Sequence, residues 1–201
     1  MTHRVVLATR NEHKIIELRR ILDGAGLDVE LVGTEQFPDL PEVAETGSTF
    51  AANALLKARD VAARTGLTAV ADDSGLSVDA LNGMPGILSA RWAGKHGDDQ
   101  ANLDLLLAQL ADTPKQRRGA AFHCAAAVAT PEGDERVVEG VLEGSIIDQP
   151  RGTNGFGYDP IFTPTGYLLT TAQLTPDEKD AISHRGRAFR ALVPVLSELL
   201  A

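Results

Sequence analysis

The chain has 201 residues, 43% hydrophobic and 23% charged, enough for one domain, or one domain with a small lobe, around a buried core, and too apolar for intrinsic disorder. A formal net charge of -9, with 28 acidic against 19 basic side chains, excludes a general surface for DNA or RNA, so an anionic ligand must be met by basic groups gathered locally. No apolar run approaches the ~18 residues of a membrane span and no signal region precedes the first strand, so a soluble, cytoplasmic chain without a membrane partner is expected.

In chain order, residues 4–9 (RVVLAT) read as a strand. Asn11 then offers a helix N-cap before Ile15, Leu18, Ile21 and Leu22 at helical spacing. FPDLPEVAETG reads as an irregular loop, and the Ala- and Leu-rich stretch from about Ser48 as a helix ending at Gly66. LTAVA predicts a strand that stops in an acidic turn at Asp72, Asp73, Ser74 and Gly75, before a second apolar segment, LSVDAL. After the loop NGMPGILSARWAGKHG, residues 99–111 form an amphipathic helix. Residues 119–130 and 136–147, separated by PEGD, make a hairpin of two long strands. The Gly-rich loop PRGTNGFGYDPIF, an irregular stretch and a closing helix from about Ser183 complete the chain, with Pro194 expected to kink or interrupt that helix. The expected fold is α/β: an elongated mixed central sheet flanked by helices, a single domain over 1–201, in two lobes with a cleft between them.

Certain residues conflict with structural habit. A helix start favours acids, yet Arg10 and Lys14 bracket the first one and His184, Arg185 and Arg187 the last. An anion bound there would remove the conflict, because backbone N–H groups at a helix start already suit phosphate and Thr9, Asn11 and Lys14 add donors. A plain capped helix with solvated bases is the alternative. Asp72, Asp73 and the more distant Glu45 supply the carboxylates that Mg²⁺ accepts alongside water and phosphate oxygens, and one of them can take a proton from water. A simple turn at DDSG competes with that reading. In RGTNGFGYDP the glycines permit close approach to a ligand and Phe156 offers a stacking face, unless Phe156 and Tyr158 are core residues.

Other chemistries fall away. The one cysteine, Cys124 in AAFHCAAAVA, excludes an internal disulfide and reads as a small core hydrophobe. His3, His13, His96 and His123 lack metal-ligand spacing, and neither a P-loop nor a dinucleotide-binding fingerprint is present.

Taken together, LATRNEHKIIEL, ETGSTFAANALLKA, ADDSGLSVDAL, PGILSARWAG, FHCAAA, GTNGFGYDPIF and EKDAISHRGRAF resemble, in order and over nearly the whole chain, the inosine triphosphate pyrophosphatase family. The resemblance implies an Mg²⁺-dependent homodimer that cuts non-standard purine nucleoside triphosphates (ITP, dITP, XTP) to the monophosphate and pyrophosphate. It implies that Thr9, Asn11 and Lys14, within the segment that also holds Arg10, Glu12 and His13, bind phosphates, with Lys57. Glu45 and Asp73 would hold the metal, supported by Asp72. Asp73 would be the proton acceptor and Ser74 would lie at the substrate. Phe156, Gly157, Tyr158 and Asp159 would bind the nucleoside, and Lys179, His184 and Arg185 the base. Arg10 stands where many relatives carry Gly, and Gln173 replaces a common Glu. The alternatives are a house-cleaning pyrophosphatase for modified pyrimidine nucleotides, as in the septum-formation inhibitor family, and a nucleotide-binding regulatory module without catalysis.

Overall fold

Val5, Val6 and Leu7 are all fully buried, which is why the end of the first strand reads as a continuous apolar run after the exposed His3 and Arg4: both of its faces are covered there, as in the interior of a parallel sheet. The computed structural model describes residues 3–10, 14–16, 19–20, 24 and 29–200. Strand β1 (His3–Leu7) pairs in parallel with β2 (Val29–Gly33) and with β3 (Thr68–Val78). β4 (Gly119–Ala129), β5 (Glu135–Ile146) and β6 (Phe162–Pro164), the last antiparallel to β5, complete a mixed sheet in the order β2-β1-β3-β4-β5-β6. Among the described residues it is accompanied by the helices α1 (Phe50–Thr65), α2 (Asp99–Gln109), α3 (Pro176–Ile182) and α4 (His184–Leu199). Residues 14–16 and 19–20 are also helical, whereas the expected cap Asn11 and Leu18, Ile21 and Leu22 lie outside the described residues. The expected α/β class is the one observed, and among the described residues no helix is long and apolar enough to cross a membrane.

The chain divides into two compact units. The first comprises Met1–Asp73, Cys124–Gly140 and His184–Ala201. Its strands carry apolar residues on both faces, in two clusters. Ala54, Ala58, Val61 and Ala62 of α1 pack against Ala69, Ala71, Ala125 and Ala127. Ala188, Phe189, Leu192 and Leu196 of α4 pack against Val5, Leu7, Val70, Ala126 and Val128. Cys124 lies in the second cluster, as expected of a small core hydrophobe. A Cβ at Gly140 of β5 would collide with the carbonyl oxygen of His184 and approach Ala188 N to 2.6 Å, so glycine there is what seats the first turn of α4. α4 runs through Pro194 to Leu199 without interruption.

The second unit comprises Ser74–His123 and Val141–Ser183. Leu76, Val78, Leu103, Leu106, Leu110, Phe122, Leu142, Ile161 and Phe162 form its core, with Trp92 packed against it and its indole N–H donated to Gln109 at 2.8 Å. Buried Arg118 closes the end of α2 by donating to the carbonyls of Leu110 (2.8 Å) and Thr113 (2.9 Å). α3 falls in the stretch expected to be irregular. Its start is a capping box in which the Thr175 hydroxyl accepts the Glu178 N–H at 3.3 Å and the Glu178 carboxylate accepts the Thr175 N–H at 2.8 Å, with Pro176 in the first turn.

The turn expected at DDSG is absent. β3 stays extended through Asp72, Asp73, Ser74 and Gly75, because tertiary partners for both acids replace the local hydrogen bonds an Asx-turn would have supplied. α1 begins and ends as expected, with Thr49 accepting the Ala52 N–H at 3.1 Å and Gly66 closing the helix at φ +67°. A Cβ at Gly66 would meet open space, so Gly66→Ala tests backbone strain alone. It is expected to cost about 1 kcal/mol in urea unfolding.

Candidate functional site

In an extended strand successive side chains point to opposite faces, so Asp72 follows Val70 and Asp73 follows Ala69 and Ala71. Asp72 therefore faces α4 and Asp73 faces α1. Asp72 is fully buried and its Oδ2 takes Lys14 Nζ at 2.9 Å and Arg185 Nε at 3.4 Å, with the Cys124 thiol 4.0 Å away. Burial alone would raise its pKa, but Lys14 and Arg185, with a further contribution from Lys57, outweigh it and hold the carboxyl well below the usual range. Cys124 moves the other way: burial and the Asp72 charge push its thiol far up, which removes it as a nucleophile.

On the opposite face Asp73 Oδ2 accepts from Asn53 Nδ2 at 3.0 Å, and its Oδ1 lies 3.7 Å from Lys57 Nζ. Lys57, one turn beyond Asn53 on α1, also meets Glu45 Oε1 at 2.8 Å. Glu45 and Asp73 thus share one ammonium. Burial, reinforced by Glu45, raises the Asp73 pKa against the opposing pull of Lys57. Burial works against the charge of Lys57, yet the acids around it raise its pKa. Among the described residues no three His, Cys, Asp or Glu side chains gather into a metal-holding group, and Asp72 does not converge with Glu45 and Asp73, because the strand sends it to the other face. Two hard-oxygen carboxylates already sharing one cation nonetheless fit Mg²⁺, which takes one or two acids and completes its shell with water and phosphate.

In the second unit, Asp159 anchors the Gly-rich loop. It is buried, and its carboxylate accepts from Phe156 N (2.8 Å), Thr171 Oγ1 (2.8 Å) and Lys179 Nζ (2.6 Å). Lys179 Nζ also stands 5.1 Å from the centre of the half-buried Phe156 ring. Gly155 is indispensable to this knot: φ is +74° and a Cβ would collide with the Asp159 carboxylate. Asp99, at the start of α2, accepts the Gly157 N–H at 2.9 Å. Tyr158 is buried, its phenol pushed up by burial so that it stays a neutral donor to the Ser89 carbonyl at 2.8 Å. Of the two readings for this loop, Tyr158 follows the core one and Phe156 keeps a partly open face.

The remaining candidates distribute as follows. Thr9 lies two residues past the end of β1, and its carbonyl accepts from Thr34 Oγ1 at 3.2 Å. Arg10 is exposed and donates to the Leu40 carbonyl. Asn11, Glu12 and His13 lie outside the described residues. Ser74 is half-buried in β3, and His184 is buried beside Arg185 in the first turn of α4. Gln173 accepts the Thr170 N–H at 3.0 Å within a capping box, a task a Glu carboxylate performs as well, so this departure costs the fold nothing evident. Asn53, Asp99 and Ser89 were not singled out from the sequence, since only the folded chain brings their partners to them. The spacing of Asn53 and Lys57, four apart on one helix face, was the one available signal.

Acids suited to a hard cation beside lysines are compatible with a phosphate-bearing ligand. The sequence profile of the Ham1 family matches residues 5–195. The chain is 66% identical over 197 residues to the dITP/XTP pyrophosphatase of Streptomyces coelicolor, covering 98% of each. It is similar to the crystal structure of the nucleoside-triphosphatase, dITP/XTP pyrophosphatase, of Mycobacterium abscessus (61% identity, TM-score 0.78, 95% and 99% of the two chains). It is also similar to a HAM1 protein from Coxiella burnetii (43% identity, TM-score 0.89, 98% and 100%). The chain belongs to the Ham1 family.

The ion pairs at Asp72 have a measurable consequence. Asp72→Asn leaves Lys14 and buried Arg185 against a neutral amide and is expected to destabilise the fold by about 3–5 kcal/mol in urea unfolding. Because the folded pKa of Asp72 is lowered, its contribution is present above the ordinary Asp value of about 3.9 and drains away as pH falls below it. The difference between wild type and D72N should therefore shrink as the medium is acidified.

Proposed function

We propose that this chain hydrolyses non-standard purine nucleoside triphosphates, ITP, dITP and XTP, to the nucleoside monophosphate and pyrophosphate with the help of Mg²⁺. The convergence of Glu45 and Asp73 on Lys57 is the observation that carries this reading. The named activity of the Streptomyces and Mycobacterium relatives supports the substrate class.

In the proposed reaction the oxygen of a water attacks the α-phosphorus, the bond from that phosphorus to the bridging oxygen breaks, and pyrophosphate departs. Asp73 takes the proton of the water; the raised pKa that burial gives it suits a base. Glu45 and Asp73 would hold Mg²⁺, which when bound supplies positive charge to the phosphate oxygens. Lys57 and Lys14 oppose the negative charge that builds on those oxygens, the positional and electrostatic work that dominates phosphoryl transfer. Asp72 keeps Lys14 and Arg185 in place. In the second unit the Phe156 ring offers a stacking face, with Lys179 as the donor beside it. Hypoxanthine and xanthine present an acceptor at position 6 where adenine presents a donor. One mispaired polar group in a dry site costs about 1–3 kcal/mol, which separates the bases by roughly ten- to a hundredfold or slightly more. The buried single cysteine suits a reducing, cytoplasmic setting, and assembly as a homodimer accords with the family resemblance.

A panel of ITP, dITP, XTP, ATP, GTP, UTP and dTTP, with and without Mg²⁺ and with pyrophosphate as readout, tests the proposal. The 6-oxo purines ITP and XTP should be cleaved at least tenfold faster than ATP, and only with metal; faster turnover of UTP or dTTP would overturn it. Asp73→Asn should lower kcat about 10²–10⁴-fold while the dissociation constant for ITP moves little.

A further inference from the structure

Asn53 carries no charge, is fully buried in the middle of a functional cluster, and has no part in the reaction as set out above. Its Nδ2 donates to Asp73 Oδ2 at 3.0 Å and its Oδ1 accepts the Gly47 N–H at 2.8 Å. Both ends of one carboxamide are therefore used, one on β3 and one on the loop that presents Glu45 two residues earlier. The donor end matters chemically. An Asp at 53 would add a third acid and could not donate, whereas Asn occupies Oδ2 of Asp73 and leaves Oδ1 as the oxygen turned to the cation now supplied by Lys57. The acceptor end has its own requirement. A Cβ at Gly47 would come within 2.7 Å of Asn53 Oδ1 and 2.8 Å of Ala52 Cβ, so the N–H reaches the carboxamide at this distance only because residue 47 has no side chain.

We propose that Asn53, assisted by Gly47, is a positioning residue for the pyrophosphatase reaction. Its carboxamide locks the Asp73 carboxylate and the Glu45 loop to one face of α1, so that the two acids meet the same cation. The inference rests on the functional reading above. Outer partners that orient metal-binding acids are typically worth about 10–100-fold in metal affinity, and that is the size of effect expected here.

Isothermal titration of Mg²⁺ into nucleotide-free Asn53→Ala, Asn53→Asp and Gly47→Ala, beside ITP kinetics and circular dichroism, tests it. The expected result is a native spectrum, an Mg²⁺ dissociation constant raised about 10–100-fold and a kcat lowered at saturating metal, with KM for ITP within about threefold of wild type. Gly47→Ala keeps the Asn53 side chain and presses on its carboxamide from the loop end, so it keeps the test decisive should the Asn53 variants fail to fold. Folded variants that bind Mg²⁺ as tightly as wild type overturn the inference alone. A wild type that neither binds Mg²⁺ nor cleaves ITP overturns the functional reading and the inference with it.

Discussion

Two adjacent carboxylates buried in mid-strand are the constraint around which the first unit is arranged. A charged group removed from water costs several kcal/mol unless something compensates it, and neither Asp72 nor Asp73 can be left to solvent. Strand alternation divides the problem between two faces. Toward α4, Lys14 and Arg185 answer Asp72; toward α1, Asn53 and Lys57 answer Asp73. The two solutions differ in strength. The cations around Asp72, Lys14 and Arg185 foremost, outweigh its burial, whereas at Asp73 burial and the neighbouring Glu45 outweigh the pull of Lys57. Residues side by side in sequence thereby acquire different electrostatics, one fixing charge and the other, in the proposed reaction, taking a proton.

The second unit solves a similar problem in its own way. There one carboxylate, Asp159, gathers a backbone N–H, a hydroxyl and an ammonium from three separate segments of chain. The loop that carries Phe156 is consequently built around an anion within the protein itself, and its shape does not wait for a ligand. Preorganisation of this kind reduces the ordering that binding would otherwise require.

The elements governed by local chemistry were legible in the sequence. The start of α1 near Ser48, its stop at Gly66 and the β4–β5 hairpin around PEGD follow from signals that act within a few residues. The turn at DDSG was not realised because its acids find partners 16 to 113 residues away, a separation that no local propensity reports. α3 was missed although TPDE spells a capping box, since seven residues offer too little periodicity to stand out. Among the candidate site residues of the first unit, Lys14 and Arg185 meet Asp72 on one face of the strand, and Glu45 and Lys57 meet Asp73 on the other. Phe156 and Lys179 come together in the second unit. What remained hidden were neutral or unremarkable side chains such as Asn53 and Asp99, whose significance lies wholly in what they hold.

Trp92 gives this arrangement a further use. It is the sole tryptophan of the chain, it packs on the core of the second unit, and its indole N–H is tied to α2 through Gln109. Intrinsic emission excited at the red edge of protein absorption consequently originates in that unit alone. The unit bearing the Gly-rich loop carries its own optical label, while the unit bearing the paired acids is spectrally dark, and melting followed by emission and by backbone dichroism can resolve one from the other without any added dye.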